Sequence, residues 1–370
     1  MKFTKTTLGE ISIGKGQYGI GASAVDYSEE LYTYLRISDI NDDGTLSMSD
    51  LKSVDDEKAE QYVLKPNDIV FARTGNSTGR NYFYDGTDGT FVYAGFLIKF
   101  SIDPNKVNPK YIKYYCLSDE YKGWVQGHST GSTRGNINAQ TYARMEIILP
   151  PREQQDKLVS ILEDLELKRK NNEAINRNLL EQCDAIYRDQ FITKSDSSWT
   201  TGYLSDLIAV KYGKDHKKLE DGDIPCYGSG GVMRYVERPI YDHESVLIPR
   251  KGTLNNVMYV NVPFWSVDTM FYTVMKISNV AKFIYHYVKG KDLASMNAGS
   301  AVPSMTVDIL NAMELQIPSS TALADFETIV QPLYNMMKDN EIENKKLAEL
   351  RDTLLPKLMS RELDVSDLDI

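Results

Sequence analysis

The feature that most constrains this chain is an internal repeat. Gly131 to Phe191 aligns without a gap with Gly299 to Met359, at a constant offset of about 168 residues. Gly131-Ser132 matches Gly299-Ser300, Met145-Glu146 matches Met313-Glu314, and Pro150 matches Pro318. Asn172-Glu173, Asn176, Leu179, Glu181 and Asp184 match Asn340-Glu341, Asn344, Leu347, Glu349 and Asp352. Looser echoes precede these. Leu8-Gly9-Glu10-Ile11 resembles Leu204-Ser205-Asp206-Leu207, and Asp68 to Gly75 resembles Ser245 to Gly252. A period this long means duplicated domains and not a short-repeat solenoid.

The ends of the two copies read as long helices. Leu158, Ile161, Leu165, Lys168, Asn172, Ile175, Leu179 and Ile186 follow alternating steps of three and four, with one step skipped before Ile186. Phe326, Ile329, Leu333, Met336, Asn340, Leu347, Leu350 and Leu354 repeat the pattern, which is that of a coiled-coil seam. Each helix follows a proline-bearing loop, Pro150-Pro151 or Pro318, with polar residues suited to capping. Some 35 residues at 1.5 Å rise give roughly 50 Å. If the helices pair antiparallel, Asn172 and Asn340 meet and fix the register; if the seam drifts, both face solvent.

Between the helices the pattern is mixed. Leu97 to Phe100, Met145 to Leu149, Ser245 to Ile248 and Phe271 to Val274 read as strands, and Pro109 to Leu117 and Val280 to Val288 as short helices. The expected class is α+β: two tandem α/β domains separated and connected by two long helices. The order is a variable domain at 1–150, a helical spacer at 151–193, a second variable domain at 198–318, a second spacer at 319–360 and an acidic tail at 361–370.

Bulk composition excludes several classes. No apolar run approaches the roughly 18 residues of a spanning helix, and no apolar segment follows Met1-Lys2-Phe3-Thr4-Lys5 as a secretion signal requires. Cys116, Cys183 and Cys226 are too scattered for a disulfide framework or a metal site, so a reducing cytoplasm is expected. The net charge of −10 opposes simple nucleic-acid binding. That charge is unevenly spread: residues 198–318 hold about twelve acids and about twelve bases.

Catalytic signatures are missing. Asn108-Pro109-Lys110-Tyr111 lacks the second proline of an adenine methyltransferase motif and reads as a helix N-terminus. No nucleotide-binding glycine loop occurs, and Gly228-Ser229-Gly230-Gly231 reads as a turn. Asp39 to Asp50 mimics a calcium loop, with acids or amides at positions 1, 3 and 5 and Gly44 at position 6. Its last ligand is Asp instead of Glu, and a strand-like Tyr32 to Ile37 precedes it, so no metal is expected. His128, His216, His243 and His286 lack metal-ligand spacing and are expected to be solvated or locally bonded. Asp55-Asp56-Glu57-Lys58, the one hint of a nuclease, reads better as a solvated helix face.

Taken together, Leu8 to Ile11, Leu35 to Ile40, Leu64 to Gly75, Met145 to Gln155 and Leu347 to Leu358, in this order and duplicated, resemble the specificity subunit of type I restriction–modification systems. The resemblance implies two target-recognition domains, each reading half of a split duplex DNA target, and an antiparallel coiled coil between them. It implies no enzyme activity and no cofactor in this chain. Two modification subunits would methylate adenine using S-adenosylmethionine, and a restriction subunit using ATP and Mg2+ would translocate and cleave. The second copy departs from the pattern: Tyr227 to Gly231 replaces the Leu35 to Asp39 type of segment, and the Arg152-Glu153-Gln154-Gln155 run has no counterpart.

Base edges are read by Arg or Lys on guanine and Asn or Gln on adenine, and phosphates by cations, hydroxyls and glycine-loop amides. The expected contacts in the first domain are Lys15, Gln17 and Tyr18; Arg73, Thr74, Asn76, Ser77 and Arg80; and Arg134 and Asn136. In the second they are Tyr212 and Lys214, with the neighbouring Lys211; Arg250, Lys251, Asn255 and Asn256; and Ser300. Both domains place Arg, Gly and Asn in that order after a strand, as Arg73, Gly75 and Asn76 and as Arg250, Gly252 and Asn255. Helix faces carrying Leu179, Ile186 and Tyr187, or Leu347, Leu350 and Leu354, are candidates for meeting the methyltransferase. The competing reading is a non-enzymatic coiled-coil scaffold for other proteins, which the acidity favours.

Overall fold

The computed structural model describes residues 3–48, 50–129, 135–296, 304–360 and 362–363. The chain divides into two compact units: Met1–Asn171 with Glu343–Ile370, and Asn172–Ile342. This division cuts across the linear succession of domain and spacer. Each unit takes half of each long helix, because each half buries its apolar face in the adjoining domain.

In the first unit the strands are β1 (Thr4–Thr7), β2 (Gln17–Tyr18), β3 (Ala24–Asp26), β4 (Tyr32–Leu35), β5 (Lys52–Val54), β6 (Asp68–Ala72), β7 (Asn81–Tyr84), β8 (Phe91–Tyr93) and β9 (Leu97–Ser101). Then come α1 (Pro109–Tyr115), α2 (Asp119–Ser129), α3 (Ala139–Ala143), β10 (Glu146–Leu149) and α4 (Arg152–Arg188), which runs on into the second unit. Two four-stranded sheets form, in the orders β2-β9-β6-β7 and β3-β5-β4-β8, and β1 pairs with β10. β6 is buried along its whole length, which explains its unbroken Asp-Ile-Val-Phe-Ala run. Asn108 caps α1 by accepting from the Lys110 amide at 3.0 Å, with Pro109 in the first turn. In the Arg152 to Gln155 run, buried Gln155 accepts from the Asn108 amide and donates to the Pro150 carbonyl, which locks the start of α4 to α1.

The second unit repeats this frame with β11 (Thr200–Tyr203), α5 (Leu204–Leu207), β12 (Ile208–Tyr212), β13 (Asp221–Gly228), β14 (Gly231–Val236), β15 (Ser245–Pro249), β16 (Met258–Val260), β17 (Trp265–Ser266), β18 (Met270–Met275), α6 (Ala281–Lys289), α7 (Val307–Asn311), β19 (Glu314–Ile317) and α8 (Ser320–Met359). The order β12-β18-β15-β16 reproduces β2-β9-β6-β7, and β11-β19 reproduces β1-β10. Thr4 faces Leu149 in one pair and Thr200 faces Ile317 in the other. The second sheet repeats in part: β14-β13-β17 matches β5-β4-β8 in order and direction, and β3 has no counterpart among the described residues.

Inside each unit the helix halves run antiparallel. In the first, Leu158 and Leu162 share a core with Leu355 and Leu358, while Lys168 pairs with Glu343. In the second, Cys183 and Tyr187 share a core with Val330 and Tyr334. The seam departs from the expected phase. Leu158, Asn172, Leu179 and Phe326 are buried, and Ile161, Leu165, Leu333, Asn340, Leu347 and Leu354 are half-buried. Ile175 and Ile329, however, are 42% and 46% exposed. Leu162, Asn176, Cys183 and Val330 take the inward positions instead. A three–four and a four–three succession advance equally per heptad, and the apolar character of Ile175 and Ile329 favoured the wrong one. Leu179 and Tyr187 belong to the core, so they are not free to meet a partner subunit; Leu350 is exposed.

The seam amides also pair one turn away from expectation. Asn340 donates to Asn176 Oδ1 at 2.7 Å, and Asn176 donates to the Met337 carbonyl at 3.0 Å. Nearby, His286 is fully buried. Its Nδ1 meets Asp184 on α4 and its Nε2 meets the Tyr334 hydroxyl on α8, and Lys289 also binds Asp184. This contradicts the expected solvated or locally bonded histidine. Burial lowers the His286 pKa, and Asp184 opposes that shift. Burial also raises Asp184, but its bonds from His286 and Lys289 prevail and hold it at about 2.

Within the calcium-like loop, Arg36 bridges Asp39 and Asp50, the first and twelfth positions, and Arg80 takes Asp42. β4 precedes the loop where a calcium hand needs a helix. Among the described residues no helix is long and apolar enough to cross a membrane, and the three cysteines are buried and free.

Two predictions follow from this core. Asn340→Leu strands the Asn176 amide and costs about 1 kcal/mol or more, whereas the double change to Leu recovers most of it. Urea unfolding of both variants measures this, and a double change as damaging as the single one counts against the pair. His286 has a folded pKa below its unfolded value, so its contribution to stability is present above about pH 6.5 and lost as pH falls through it. The unfolding midpoint should therefore drop between pH 7 and 5, less steeply in His286→Gln; an identical slope in both refutes the assignment.

Candidate nucleic-acid interface

The duplicated frame brings the expected contact residues to one strand end in each unit. Arg73 follows β6. Its amide donates to the Phe96 carbonyl at 3.0 Å and its carbonyl accepts from the Ile137 amide at 2.9 Å. Arg250 follows β15 and is held the same way, by the Thr269 carbonyl at 2.8 Å and the Met305 amide at 2.9 Å. Ile137 and Met305 are 168 positions apart, the period of the repeat. A single bridge continues each clamp, Thr74 to Asn136 and Lys251 to Ser304.

The side chains are matched too. The Arg73 guanidinium carbon lies 5.1 Å from the Tyr18 ring centre, and that of Arg250 lies 5.4 Å from the Tyr212 ring centre. Both tyrosines are exposed, and each ends the edge strand of its sheet. Stacking on an aromatic face orders a guanidinium without using its fork of donors, which stays able to meet a phosphate or a guanine edge. Arg73 Nε has no hydrogen-bond partner among the described residues, whereas Arg250 donates to the Asp268 carbonyl at 3.2 Å. The Tyr18 hydroxyl accepts from the Ala139 amide at the start of α3, which fixes the ring.

Glycines allow the close approach. A Cβ on Gly19 would stand 2.3 Å from the carbonyl oxygens of Tyr93 and Ala94, and one on Gly213 would stand 2.0 Å from that of Val267. The backbones after Tyr18 and Tyr212 therefore press onto the neighbouring chain, with Gly19 donating to Leu97 and Gly213 to Met270. Lys15, Gln17, Asn76, Asn136, Lys214 and Lys251 are exposed around these pairs, and Thr74 and Ser77 are half-buried.

Three expected readers serve the protein itself. Arg80 is bound to Asp42 and to the Ile40 carbonyl. Asn255 donates to Asp292 and accepts from the Ala294 amide, and Asn256 donates to the Ser229 carbonyl. Their residue types fit base reading, but each already spends donors or acceptors on bonds within the protein. Arg134 and Ser300 lie outside the described residues. Exposed Phe96, whose carbonyl holds Arg73, was missed; the adjoining Gly95 was its signal in the sequence.

The type I restriction modification DNA specificity domain matches twice, over residues 2–181 and 196–352. The MjaIX specificity subunit of Methanocaldococcus jannaschii is 24% identical over 310 residues, 72% of this chain and 72% of that protein. The HindI specificity subunit of Haemophilus influenzae is 19% identical, over 81% of this chain and 87% of that protein. The crystal structure of an S subunit from M. genitalium covers 96% of both chains at a TM-score of 0.57 and 19% identity, a likeness of fold.

Arg73→Ala and Arg250→Ala should each weaken duplex binding by about 1–3 kcal/mol, with Lys only partly restoring it. Tyr18→Leu and Tyr212→Leu should cost less, about 0.5–1 kcal/mol. Fluorescence anisotropy on labelled duplex reads all four, and unaltered affinity in both arginine variants removes the pair from the interface.

Proposed function

Because this chain belongs to the type I restriction–modification DNA specificity family, we propose that its two matched Arg–Tyr pairs are the points at which its two domains hold DNA. The chain is the DNA-specificity subunit of a type I system, non-catalytic itself, in which each recognition domain reads one half of a bipartite target. It acts within a complex with DNA and other subunits.

The observation that carries our reading of the interface is the recurrence of one device at matching strand ends: a backbone-clamped arginine stacked on an exposed tyrosine. Chance pairing explains one such stack, but two in the same place on a duplicated frame call for a shared task. The scaffold alternative gives no reason to keep cations in both.

Two methyltransferase subunits complete the assembly in this reading, bind S-adenosylmethionine and methylate adenine in each half-site. A restriction subunit with ATP and Mg2+ joins them in the cytoplasm to translocate and cleave. The acidity of this chain suits such a division, since partner subunits can add positive surface that a chain of net charge −10 lacks.

Methylome sequencing with and without this gene is the direct test. One split motif carrying methyladenine should vanish on deletion and return with the wild-type gene, and Arg73→Ala with Arg250→Ala should fail to restore it. Binding by the assembled complex should fall steeply with salt. A methylome indifferent to the gene, or equal affinity for unrelated duplexes, overturns the reading.

A further inference from the structure

The hairpin of β13 and β14 takes the place of the antiparallel pair β4 and β5 in the first unit, but closes in a tight turn where that pair is joined through residues 36–51, and it is tied to the interface of the second unit. Its strands close through the facing pair Gly228 and Gly231 around a two-residue turn, Ser229-Gly230. Asn256, on the loop that carries Arg250 and Lys251, donates to the Ser229 carbonyl at 2.8 Å. A Cβ on Gly252 would meet Ser229 Oγ at 2.8 Å, so the turn lies directly against that loop. On the other flank the Val267 amide donates to the Tyr227 carbonyl, and the neighbouring Ser266 carbonyl accepts from the Lys214 amide. The turn is thus continuous with the surface that presents Arg250, Lys251 and Lys214.

Its exposed side chains are apolar. Val232 is 47% exposed and Met233 is 59% exposed, on a strand that is the outermost of its sheet among the described residues. Bare apolar side chains on an unpaired edge are a liability that soluble proteins usually blunt with charge. Here they stand next to a cationic site. The DNA major groove admits a two-stranded ribbon, is about 8.5 Å deep, and displays one apolar group, the thymine methyl. Six residues of β14 extend about 20 Å, enough to reach the groove floor.

We propose that the β13–β14 ribbon of the second unit enters the major groove of its half-site and that Val232 and Met233 read thymine methyl groups there. This rests on the DNA reading given above. It makes the two half-sites chemically unequal, since the corresponding strand β5 of the first unit is Lys52-Ser53-Val54, with Ser53 and Val54 buried.

The test uses the chain assembled with its methyltransferase subunits and its cognate duplex. Each thymine of both half-sites is replaced in turn by deoxyuridine, which removes only the methyl group. One or two positions in a single half-site should lose about three- to ten-fold in affinity. Val232→Ser with Met233→Ser should lose a similar factor on natural DNA and then be indifferent to deoxyuridine at those positions. Both side chains are exposed, and unchanged assembly with the partner subunits confirms that the variant folds. No sensitive position, sensitivity that persists in the variant, or half-sites without A·T pairs would each overturn the proposal. Arg250→Ala is the control: if it abolishes binding while the ribbon variant stays wild-type, only the ribbon assignment fails. If neither variant matters, the DNA reading of this unit fails with it.

Discussion

Each unit depends on burying a long-helix pair against a duplicated sheet frame. In the first, Leu158 and Leu162 of α4 and Leu355 and Leu358 of α8 share one apolar cluster with β6, β9 and α1. In the second, Cys183 and Tyr187 of α4 join Phe326 and Val330 of α8 beneath β15, β18 and α6. Neither helix is apolar enough to stand alone, and neither frame closes its core without the helices. Burial in both directions fixes where the strand ends sit, and hence where Arg73 and Arg250 stand.

Polar groups inside this core are arranged for orientation more than for strength. Asn176 with Asn340, and Asp184 with His286 and Tyr334, each join α4 to α8 within the second unit. Lys282, also buried, binds Glu244 and Glu327 and lies over the rings of Tyr259 and Tyr334. Apolar replacements could match such groups in stability, but an unpaired member is costly, so a slipped register is penalised. For a DNA-specificity subunit, in which each domain must hold one reading surface in shape, a penalty on slippage matters more than added stability.

The repeat, the long helices and the strands named from their patterns were legible because apolar periodicity and a gapless offset are local properties. Seam phase was not, because Ile175 and Ile329 offer the apolar character that the true positions Asn176 and Val330 share only in part. Tyr18 with Arg73, and Tyr212 with Arg250, were singled out separately, yet their stacking needs the order β2-β9-β6 and its copy, which no local pattern states. Arg80, Asn255 and Asn256 show the opposite failure. Residue type marks what a side chain can bind, and only the fold tells that Asp42, Asp292 and Ser229 already bind them. His286 was unreadable for the same reason, with its carboxylate 102 positions away.

The two units keep one sheet and change the other. β2-β9-β6-β7 and β12-β18-β15-β16 are the same arrangement, and they carry the clusters into which the helices pack. The second sheets share the order β5-β4-β8 and β14-β13-β17 but differ in strand number and connection, and they pack on the constant sheets in further clusters, which join Leu35 and Phe91 to Val70, Tyr82 and Tyr84 in one unit and Cys226 and Trp265 to Leu247 and Met270 in the other. The helix-bearing clusters hold no residue of the second sheets, so a change there reaches the helix core only through the constant sheet between them. Stability and recognition are thereby partly uncoupled. The constant sheet supplies the clamped arginine, and the variable sheet beside it can be remodelled, as a four-stranded sheet here and a three-stranded one there, without reopening the core in which the helices lie.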